Sequence, residues 1–130
     1  MESYTNFRME EMVRSLEPLM KRRDLIGYAA ARNMRLLLTE LTEFETMKDA
    51  LIEQYGTDHT DEDGKPTGRK QITPDNPMFA EFIEELNKIG YVEHAPNLMK
   101  VVDDDVIGAL SGQEIFDASW MIDSGVLHEH

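Results

Sequence analysis

The residue types that most often carry chemistry are sparse and poorly spaced in this chain. It has no cysteine, which excludes a thiolate nucleophile, a disulfide and a thiolate metal site. Four histidines occur, and only His128 and His130 are close in sequence. A zinc site there would still need a third ligand and a fixed backbone, which a chain end does not supply. The sequence therefore predicts no metal site, and it predicts that His94 is a partly exposed strand residue.

The acidic stretch that contains Asp63 and Gly64 resembles a calcium-binding loop in composition but not in spacing. If Gly64 is aligned with the loop's invariant glycine, His59 takes the first position and Lys70 the twelfth. A calcium loop requires an acid at the first position and a bidentate glutamate at the twelfth. We therefore interpret this stretch as a solvated hairpin, since Asp-Gly is a typical hairpin turn.

The residues around Ser111, "GALSGQ", loosely resemble a nucleophile elbow, in which a catalytic serine lies between glycines. The elbow requires glycine two residues before the serine, where this chain has Ala109. Glu114 follows three residues after Ser111, and this spacing predicts a helix-capping box instead. The sequence has no glycine-rich phosphate loop, and pairs such as Glu43 with Glu45 are expected by chance in so acidic a chain. We therefore predict a non-enzymatic protein without a cofactor.

The charge of the chain is large and unevenly distributed. The formal net charge is −13, which argues against direct binding of nucleic acid, because such binding depends on Lys and Arg. Residues 1–37 hold seven basic and five acidic residues, a net charge of +2, and the remainder holds six and 21, a net charge of −15. The basic part could pair with the acidic part of the same chain, or with another copy head to tail. The simpler interpretation of this uneven charge is that both parts of the chain are solvated surfaces with ordinary ion pairs.

The dominant predicted element is a long helix from about residue 25 to 55. Asp24 is its expected N-cap, and Gly56 is expected to end it in the left-handed conformation. Apolar residues recur along it at steps of three, four and seven, with Lys48 as the one interruption: Ala30, Met34, Leu37, Leu41, Phe44, Leu51 and Tyr55. This alternation is typical of helix pairing.

The predicted helix is too long for the first helix, residues 6–17, to cover. About 30 residues at 1.5 Å each give roughly 45 Å, more than the diameter of a compact globule of this mass. The rest of the apolar stripe must be covered by the C-terminal half, by a partner, or by both. The tentative partner-binding residues are Met34, Leu37, Leu41, Phe44 and Leu51.

The remaining elements complete an α+β fold in one domain, residues 1–130. A helical hairpin dominated by the long helix is followed by a mobile hairpin excursion at 57–75 and a third helix that ends at Gly90. Segments 68–73 and 91–102 are expected to form a small antiparallel sheet. Two short C-terminal helices follow, and residues 124–130 are expected to fray. The second of these helices is expected to bury Ile115, Phe116, Trp120 and Met121.

The order of these elements resembles a family of small phage and prophage proteins of unknown function. The residues that carry the resemblance are "AARN" at 30–33, "ELTEFE" at 40–45, "LIEQYG" at 51–56, the Asp-Gly hairpin, a later amphipathic helix and "WMI" at 120–122. The resemblance implies a small α+β domain encoded among structural or accessory genes, and it assigns no functional residue. The basic "KRRD" at 21–24 departs from the more apolar segment of the family.

Two functions from different classes follow as hypotheses. The leading one is a phage-derived structural or assembly protein that acts through protein contacts, with a homodimer as one form. The alternative is an acidic inhibitor that mimics nucleic acid and binds a basic groove of a host protein. The acids that motivate the alternative are Glu81, Glu84, Glu85, Asp103, Asp104 and Asp105. The expected location is the host cytoplasm or the virion, because no apolar segment is long enough to span a membrane.

Overall fold

The computed structural model describes residues 2–123 and confirms a mixed fold of helices and short strands around one long helix. The α-helices are α1 (Asn6–Leu16), α2 (Leu25–Tyr55), α3 (Phe79–Gly90), α4 (Asp103–Val106) and α5 (Gly112–Asp117). The strands are β1 (Tyr4–Thr5), β2 (Thr57–Thr60), β3 (Pro66–Gln71), β4 (Glu93–His94), β5 (Val101–Val102) and β6 (Ile122–Asp123). Short 3-10 helices lie at Glu17–Leu19 and Ser119–Met121.

The start of α2 confirms the predicted cap and explains an unexpected glycine. The Oδ1 atom of Asp24 accepts a hydrogen bond from the amide of Gly27 at 3.2 Å, so it satisfies one of the free amides of the first turn. A Cβ atom on Gly27 would lie 2.1 Å from the carbonyl oxygen of Arg22. Glycine would ordinarily weaken an early helical turn, but here it allows the connector to pass against the helix. From this start α2 continues without interruption for 31 residues.

The end of α2 corrects one prediction. Gly56 follows the helix as expected, and its amide donates to the carbonyl of Ile52 at 2.7 Å. Among residues 2–123, however, the left-handed glycines are Gly64, Gly68 and Gly108, so the predicted left-handed conformation of Gly56 is wrong. A Cβ atom on Gly56 would lie 2.6 Å from the carbonyl oxygen of Gln71. The same Cβ atom would lie 2.5 Å from the carbonyl oxygen of Ile52, so the last turn of α2 and the close approach of β3 together require glycine here.

The strand pairing also differs from the prediction. β2 pairs with β3 and β1 with β4, both antiparallel, while β5 pairs with β6 in parallel. The predicted sheet between 68–73 and 91–102 is therefore wrong, although short strands do occur in both segments. The turn at Gly64, with φ of 78°, places β2 directly beside β3, and a local hairpin closes at less entropic cost than a distant pairing. The mobility of this hairpin stays a prediction.

The chain divides into two compact units, which we describe separately. Unit 1 comprises Met1–Leu41 with Glu93–His130, of which residues 2–41 and 93–123 are described, and unit 2 is Thr42–Val92. The boundaries of a single domain, residues 1–130, stay a prediction, and the frayed tail predicted at 124–130 lies outside the described residues.

The apolar core of unit 1 draws on α1, the first half of α2 and the C-terminal segments. Its fully buried large side chains include Met9, Met12, Leu16, Ile26, Leu37, Val101, Val106 and Met121. Trp120 is only 9% exposed, which agrees with its predicted burial, as does the burial of Met121. Phe116 was predicted to be buried and is 75% exposed. α5 has only six residues and no buried side chain, so Phe116 lies on its outer side beside the half-buried Ile115.

Unit 2 is built around aromatic contacts between the end of α2 and α3. The rings of Tyr55 and Phe82 meet edge to face with centroids 6.4 Å apart, and Phe79 lies 6.3 Å from Phe82. The side-chain Nδ2 atom of Asn76 donates to the carbonyl of Tyr55 at 3.1 Å, which satisfies one of the free carbonyls at the end of α2. α3 ends at Gly90, as the sequence predicts.

Candidate protein-contact surface

The five residues predicted to bind a partner lie mostly inside the molecule. Leu37, Leu41 and Phe44 are 0%, 2% and 3% exposed, and Met34 and Leu51 are half-buried. The apolar stripe is therefore covered within the single chain from Ile26 to Phe44. A partner could reach these leucines only if α2 were uncovered, and their role in binding stays a prediction.

The buried face of α2 contains a polar side chain that the sequence reasoning did not single out. Asn33 is fully buried, and its amide makes two hydrogen bonds with the backbone of Met99. Its Nδ2 atom donates to the carbonyl of Met99 at 2.9 Å, and its Oδ1 atom accepts from the Met99 amide at 2.7 Å. This reciprocal pair satisfies both backbone groups, as a neighbouring strand would. The sequence does contain a signal for this buried contact. Asn33 is a polar residue between Ala30 and Leu37, on the side of the helix where the spacing of the apolar residues predicts an apolar side chain.

The opposite face of α2 in unit 1 is exposed and carries aromatic, aliphatic and basic groups. Tyr28 is 61% and Leu38 is 50% exposed, and Arg32 and Arg35 between them are also exposed. Within residues 2–123, the guanidinium groups of Arg32 and Arg35 make no hydrogen bond or ion pair, whereas the guanidinium of Arg22 binds Asp24 at 2.5 Å. We name Tyr28, Arg32, Arg35 and Leu38 the basic surface.

A hollow of about 350 Å³ opens beside the basic surface. It is lined by Tyr28 and Arg32 on α2, and by Asn97, Leu98 and Met99 on the segment before β5. The hydrogen bonds of Asn33 hold Met99 in place, so this wall of the hollow has a fixed backbone. A guanidinium group binds carboxylates through paired hydrogen bonds, and tyrosine offers an apolar ring with a polar tip. The arrangement fits an acidic side chain that has an apolar neighbour.

The part of α2 in unit 2 has the opposite charge. Glu43, Asp49 and Glu53 are exposed there, and we name these three residues the acidic surface. Asp49 and Glu53 line a second hollow, of about 440 Å³, together with Ile52 and residues 68–70 of β3. Lys70 at its rim donates to Asp58 at 2.8 Å, and this hydrogen bond raises the pKa of the Lys70 ammonium group. The Lys70 charge is therefore already engaged within the hairpin.

A third hollow, of about 470 Å³ in unit 1, is lined in part by groups that bind one another. Arg8 and Glu11 form an ion pair at 3.1 Å on its wall. The Ser15 hydroxyl donates to the carbonyl of Met12 at 2.6 Å and accepts from the indole of Trp120 at 2.9 Å. The exposed ring of Phe116 stands at the rim. Arg8 and Arg14 are balanced in this lining by Glu11 and Asp117, so the hollow favours no ligand of a particular charge.

Two of the acids that motivate the nucleic-acid mimic are engaged within the chain. Glu85 binds the ammonium group of Lys88 at 2.8 Å, which raises the pKa of that lysine. The Oδ2 atom of Asp105 accepts from the Val102 amide at 3.3 Å at the start of α4. Glu81, Glu84 and Asp104 are exposed.

The remaining residues with candidate chemistry have structural roles. Ser111 and Glu114 form the predicted capping box, and the hydrogen bond from the Ser111 amide lowers the pKa of the Glu114 carboxyl group. His94 is a half-buried strand residue, as predicted, and its Nδ1 atom lies 2.8 Å from Oε2 of Glu40. Within residues 2–123 no three His, Asp or Glu side chains are placed to hold a metal ion. His128 and His130 lie outside the described residues.

The comparisons with known proteins add no relative. No protein-family model, curated protein or solved structure matches the chain. The resemblance to small phage proteins therefore stays a prediction from the residues that carry it. In the part of the chain that the structure describes, none of the helices combines the length and the apolar character of a membrane span.

Proposed function

We propose that this chain is a non-enzymatic structural or assembly protein of phage or prophage origin, which acts through protein-protein contacts at the basic surface. The phage origin is supported by the sequence resemblance alone. The contact function is supported by one observation above the others: Tyr28 and Arg32 are exposed and line a hollow whose opposite wall is fixed by Asn33. The proposal includes no cofactor, nucleic acid or membrane, and it places the protein in the host cytoplasm or on the virion.

The composition of the basic surface is that of a contact surface rather than of an ordinary solvated helix face. Tyrosine and arginine are enriched in protein interfaces and at the few positions that dominate their affinity. Arg32 and Arg35 keep their hydrogen-bonding capacity within residues 2–123, so a partner carboxylate would not have to displace an internal acid. Leu38 adds exposed apolar area on the same side of α2.

The acidic inhibitor remains the less supported hypothesis. Its carboxylates would have to follow the spacing of phosphates along a surface. Glu85 and Asp105 are instead bound to Lys88 and to the start of α4. No feature of residues 2–123 favours this alternative over the basic surface.

The experiment that tests the proposal is co-purification followed by reconstitution. The tagged chain is expressed together with the proteins that its neighbouring genes encode, and each protein that is retained is then purified and titrated against it. We expect one of them, or the chain itself, to bind with an affinity that Arg32→Glu with Arg35→Glu lowers at least about tenfold, equivalent to about 1.4 kcal/mol. The matched control is Lys21→Glu with Lys65→Glu, which changes the charge equally at two exposed positions.

Two results would contradict the proposal. The first is that no purified protein, including the chain itself, binds in the titration. The second is that the arginine variant binds as tightly as its matched control.

A further inference from the structure

We propose that the partner of the basic surface is an acidic amphipathic helix of a different protein, which lies along α2 between Leu25 and Thr39 and places carboxylates on Arg32 and Arg35. This inference rests on the proposed function, because it uses the same surface and names the kind of partner that binds there. It deepens that function by giving the secondary structure of the bound segment, its charge and the spacing of its anchors. All the residues that carry it belong to unit 1.

The exposed side of α2 has a second heptad pattern, separate from the buried apolar stripe. Its positions follow at steps of three and four residues: Leu25, Tyr28, Arg32, Arg35 and Thr39. All five are exposed, and at about 100° per residue they lie within about 80° of one another around the helix. We name them the exposed seam. This spacing is typical of the face along which one helix packs against another, and here it spans about 21 Å.

The charge of the exposed seam favours an acidic partner. Arg32 and Arg35 are the only charged residues in the range 25–39. The acids that flank this range, Asp24 and Glu40, each have a partner within unit 1. A carboxylate from another protein therefore meets no competing acid on this stretch of helix. A guanidinium group binds such a carboxylate through paired, charge-assisted hydrogen bonds.

The hollow beside the exposed seam provides a place for an apolar anchor. Tyr28 and Arg32 form one wall and residues 97–99 the other, and none of these lining residues is acidic. Leu98 and Met99 are half-buried there, so an apolar side chain of the partner can contact them together with the ring of Tyr28. At about 350 Å³ the hollow is small among ligand pockets, which favours the side chains of a larger partner over a whole small-molecule ligand.

The spacing of the anchors favours a helical partner over an extended one. Tyr28, Arg32 and Arg35 follow at four and three residues, so they advance by about 6 Å and then about 4.5 Å along the axis of α2. A helix laid alongside has the same rise per residue, so side chains at the same spacing meet all three in register. In an extended segment, side chains on one face are about 6.7 Å apart, so they match the first step and overshoot the second.

The two arginines also disfavour a second copy of this chain on the exposed seam. Two copies that pair over the range 25–39 would place Arg32 beside Arg32 in either orientation, and parallel copies would also place Arg35 beside Arg35. Like charges that are brought together in this way repel. Charged residues on a heptad seam thus select the partner, and here they select a helix that has acids opposite the arginines.

Synthetic peptides titrated into the isotope-labelled full-length chain test the inference by NMR. The probe is an alanine-rich peptide of about 16 residues, long enough to populate a helix alone, with Leu, Leu, Glu and Glu at steps of three, four and three residues. A second probe carries these four residues in reverse order, so that both orientations of the helix are covered. We expect at least one probe to cause saturable shifts of the backbone amides at 25–39 and 97–99, and neither to do so in the hairpin at 57–71.

Three changes separate the charge from the helical conformation. Gln in place of both Glu residues of the probe should weaken binding at least about threefold, and a proline at its centre, which breaks the helix, should abolish binding. Arg32→Glu with Arg35→Glu should weaken binding of the Glu probe at least about tenfold and should make the chain prefer a probe with Lys at those two positions. The matched control, Lys65→Glu with Arg69→Glu, makes the same change of charge at two exposed positions and should bind the Glu probe like the wild type. Circular dichroism verifies that both variants keep their helix content.

The outcomes that overturn the inference differ from those that overturn the proposed function. The inference is wrong if neither probe causes saturable shifts, if the shifts lie outside 25–39 and 97–99, or if the proline probe binds as tightly as its parent. It is also wrong if the chain alone dimerises through Arg32 and Arg35 in sedimentation, although the proposed function would then stand. If the probes bind as expected but no purified protein binds in the reconstitution, the proposed function is wrong while the specificity of the exposed seam stands.

Discussion

Replacing Asn33 tests how unit 1 is held together. Asn33→Ala removes both hydrogen bonds to Met99 and leaves a backbone amide and a backbone carbonyl without their partner. Each polar group left without a partner costs about 1 to 3 kcal/mol. Met99 is half-buried, so water can compensate in part, and we expect a loss of about 2 to 4 kcal/mol in the free energy of unfolding.

Asn33→Asp separates the hydrogen bonds from the volume of the side chain. One carboxylate oxygen can still accept from the Met99 amide, but the other faces the Met99 carbonyl at the position where nitrogen donated at 2.9 Å. The charge is also fully buried, which raises the pKa of the new carboxyl group in the folded state above its unfolded value of about 3.9. The destabilisation should therefore be largest at neutral pH and diminish as pH falls through the raised pKa, because the protonated group can donate again.

Urea unfolding followed by the fluorescence of Trp120 measures both variants. Trp120 is the one tryptophan of the chain, lies in unit 1 with Asn33 and is 9% exposed, so its emission reports the loss of this core. The control is Asn97→Ala, the same truncation at an exposed position of the neighbouring segment, which should stay within about 0.5 kcal/mol of the wild type. The conclusion that the amide pair holds Met99 on α2 would be wrong in either of two cases. The first is a free energy of unfolding for Asn33→Ala within about 0.5 kcal/mol of the wild type. The second is a free energy of unfolding for Asn33→Asp equal to that of the wild type at neutral pH.

Three further changes test local contacts of unit 1 by the same unfolding assay. Ser15→Ala removes the acceptor of the buried Trp120 indole, and we expect a loss of about 1 to 3 kcal/mol. Gly27→Ala would place a Cβ atom 2.1 Å from the Arg22 carbonyl oxygen, so it should destabilise, although alanine usually gains about 1 kcal/mol over glycine in a helix. The hydrogen bond from the Arg22 side chain lowers the pKa of the Asp24 carboxyl group. The stability that this carboxylate contributes is therefore fully present above the ordinary aspartate pKa. It is lost as pH falls through the lowered pKa. Asp24→Asn should therefore show a smaller loss of stability on acidification than the wild type.

The Gly27→Ala prediction has a matched control in the same chain. Gly112→Ala, at the first residue of α5, would meet no atom within 4 Å and should be neutral or stabilising. A gain in stability from Gly27→Ala would contradict the close approach at the start of α2. A free energy of unfolding that Ser15→Ala leaves unchanged would contradict the indole hydrogen bond. An equal loss of stability on acidification in Asp24→Asn and in the wild type would contradict the role of the carboxylate.

The long helix and its caps could be predicted because their signals are local and periodic. Leu37, Leu41 and Phe44 recur at helical spacing, and their burial follows from that period. The Ser111–Glu114 capping box is complete within four residues. The left-handed conformation expected for Gly56 is wrong, because the requirement for glycine comes from close contacts, one of them with Gln71, which is distant in sequence.

The strand pairs could not be predicted, because they carry almost no periodic signal. β1, β4, β5 and β6 have two residues each, too few to show the alternation that identifies a strand. Their partners are set by where the helices place the chain, as when Val101 is brought beside Ile122. The exposure of Phe116 has the same origin, since six residues of α5 cannot reveal from sequence which side will face the core.

The candidate contact surface is not evident from the sequence, because helical periodicity predicts the apolar stripe as the partner-binding face. The amide of Asn33 determines which side of α2 faces inward, since it must reach Met99 from the buried face. At about 100° per residue, Arg32 lies about 100° from Asn33 around the helix and Arg35 about 160° from it, so both arginines must face outward. The same orientation that buries Leu37 therefore creates the basic surface. Asn33→Asp should consequently weaken both unit 1 and binding at the basic surface, because it frees the Met99 wall of the hollow, whereas Arg32→Glu with Arg35→Glu should weaken binding and leave the unfolding of unit 1 unchanged.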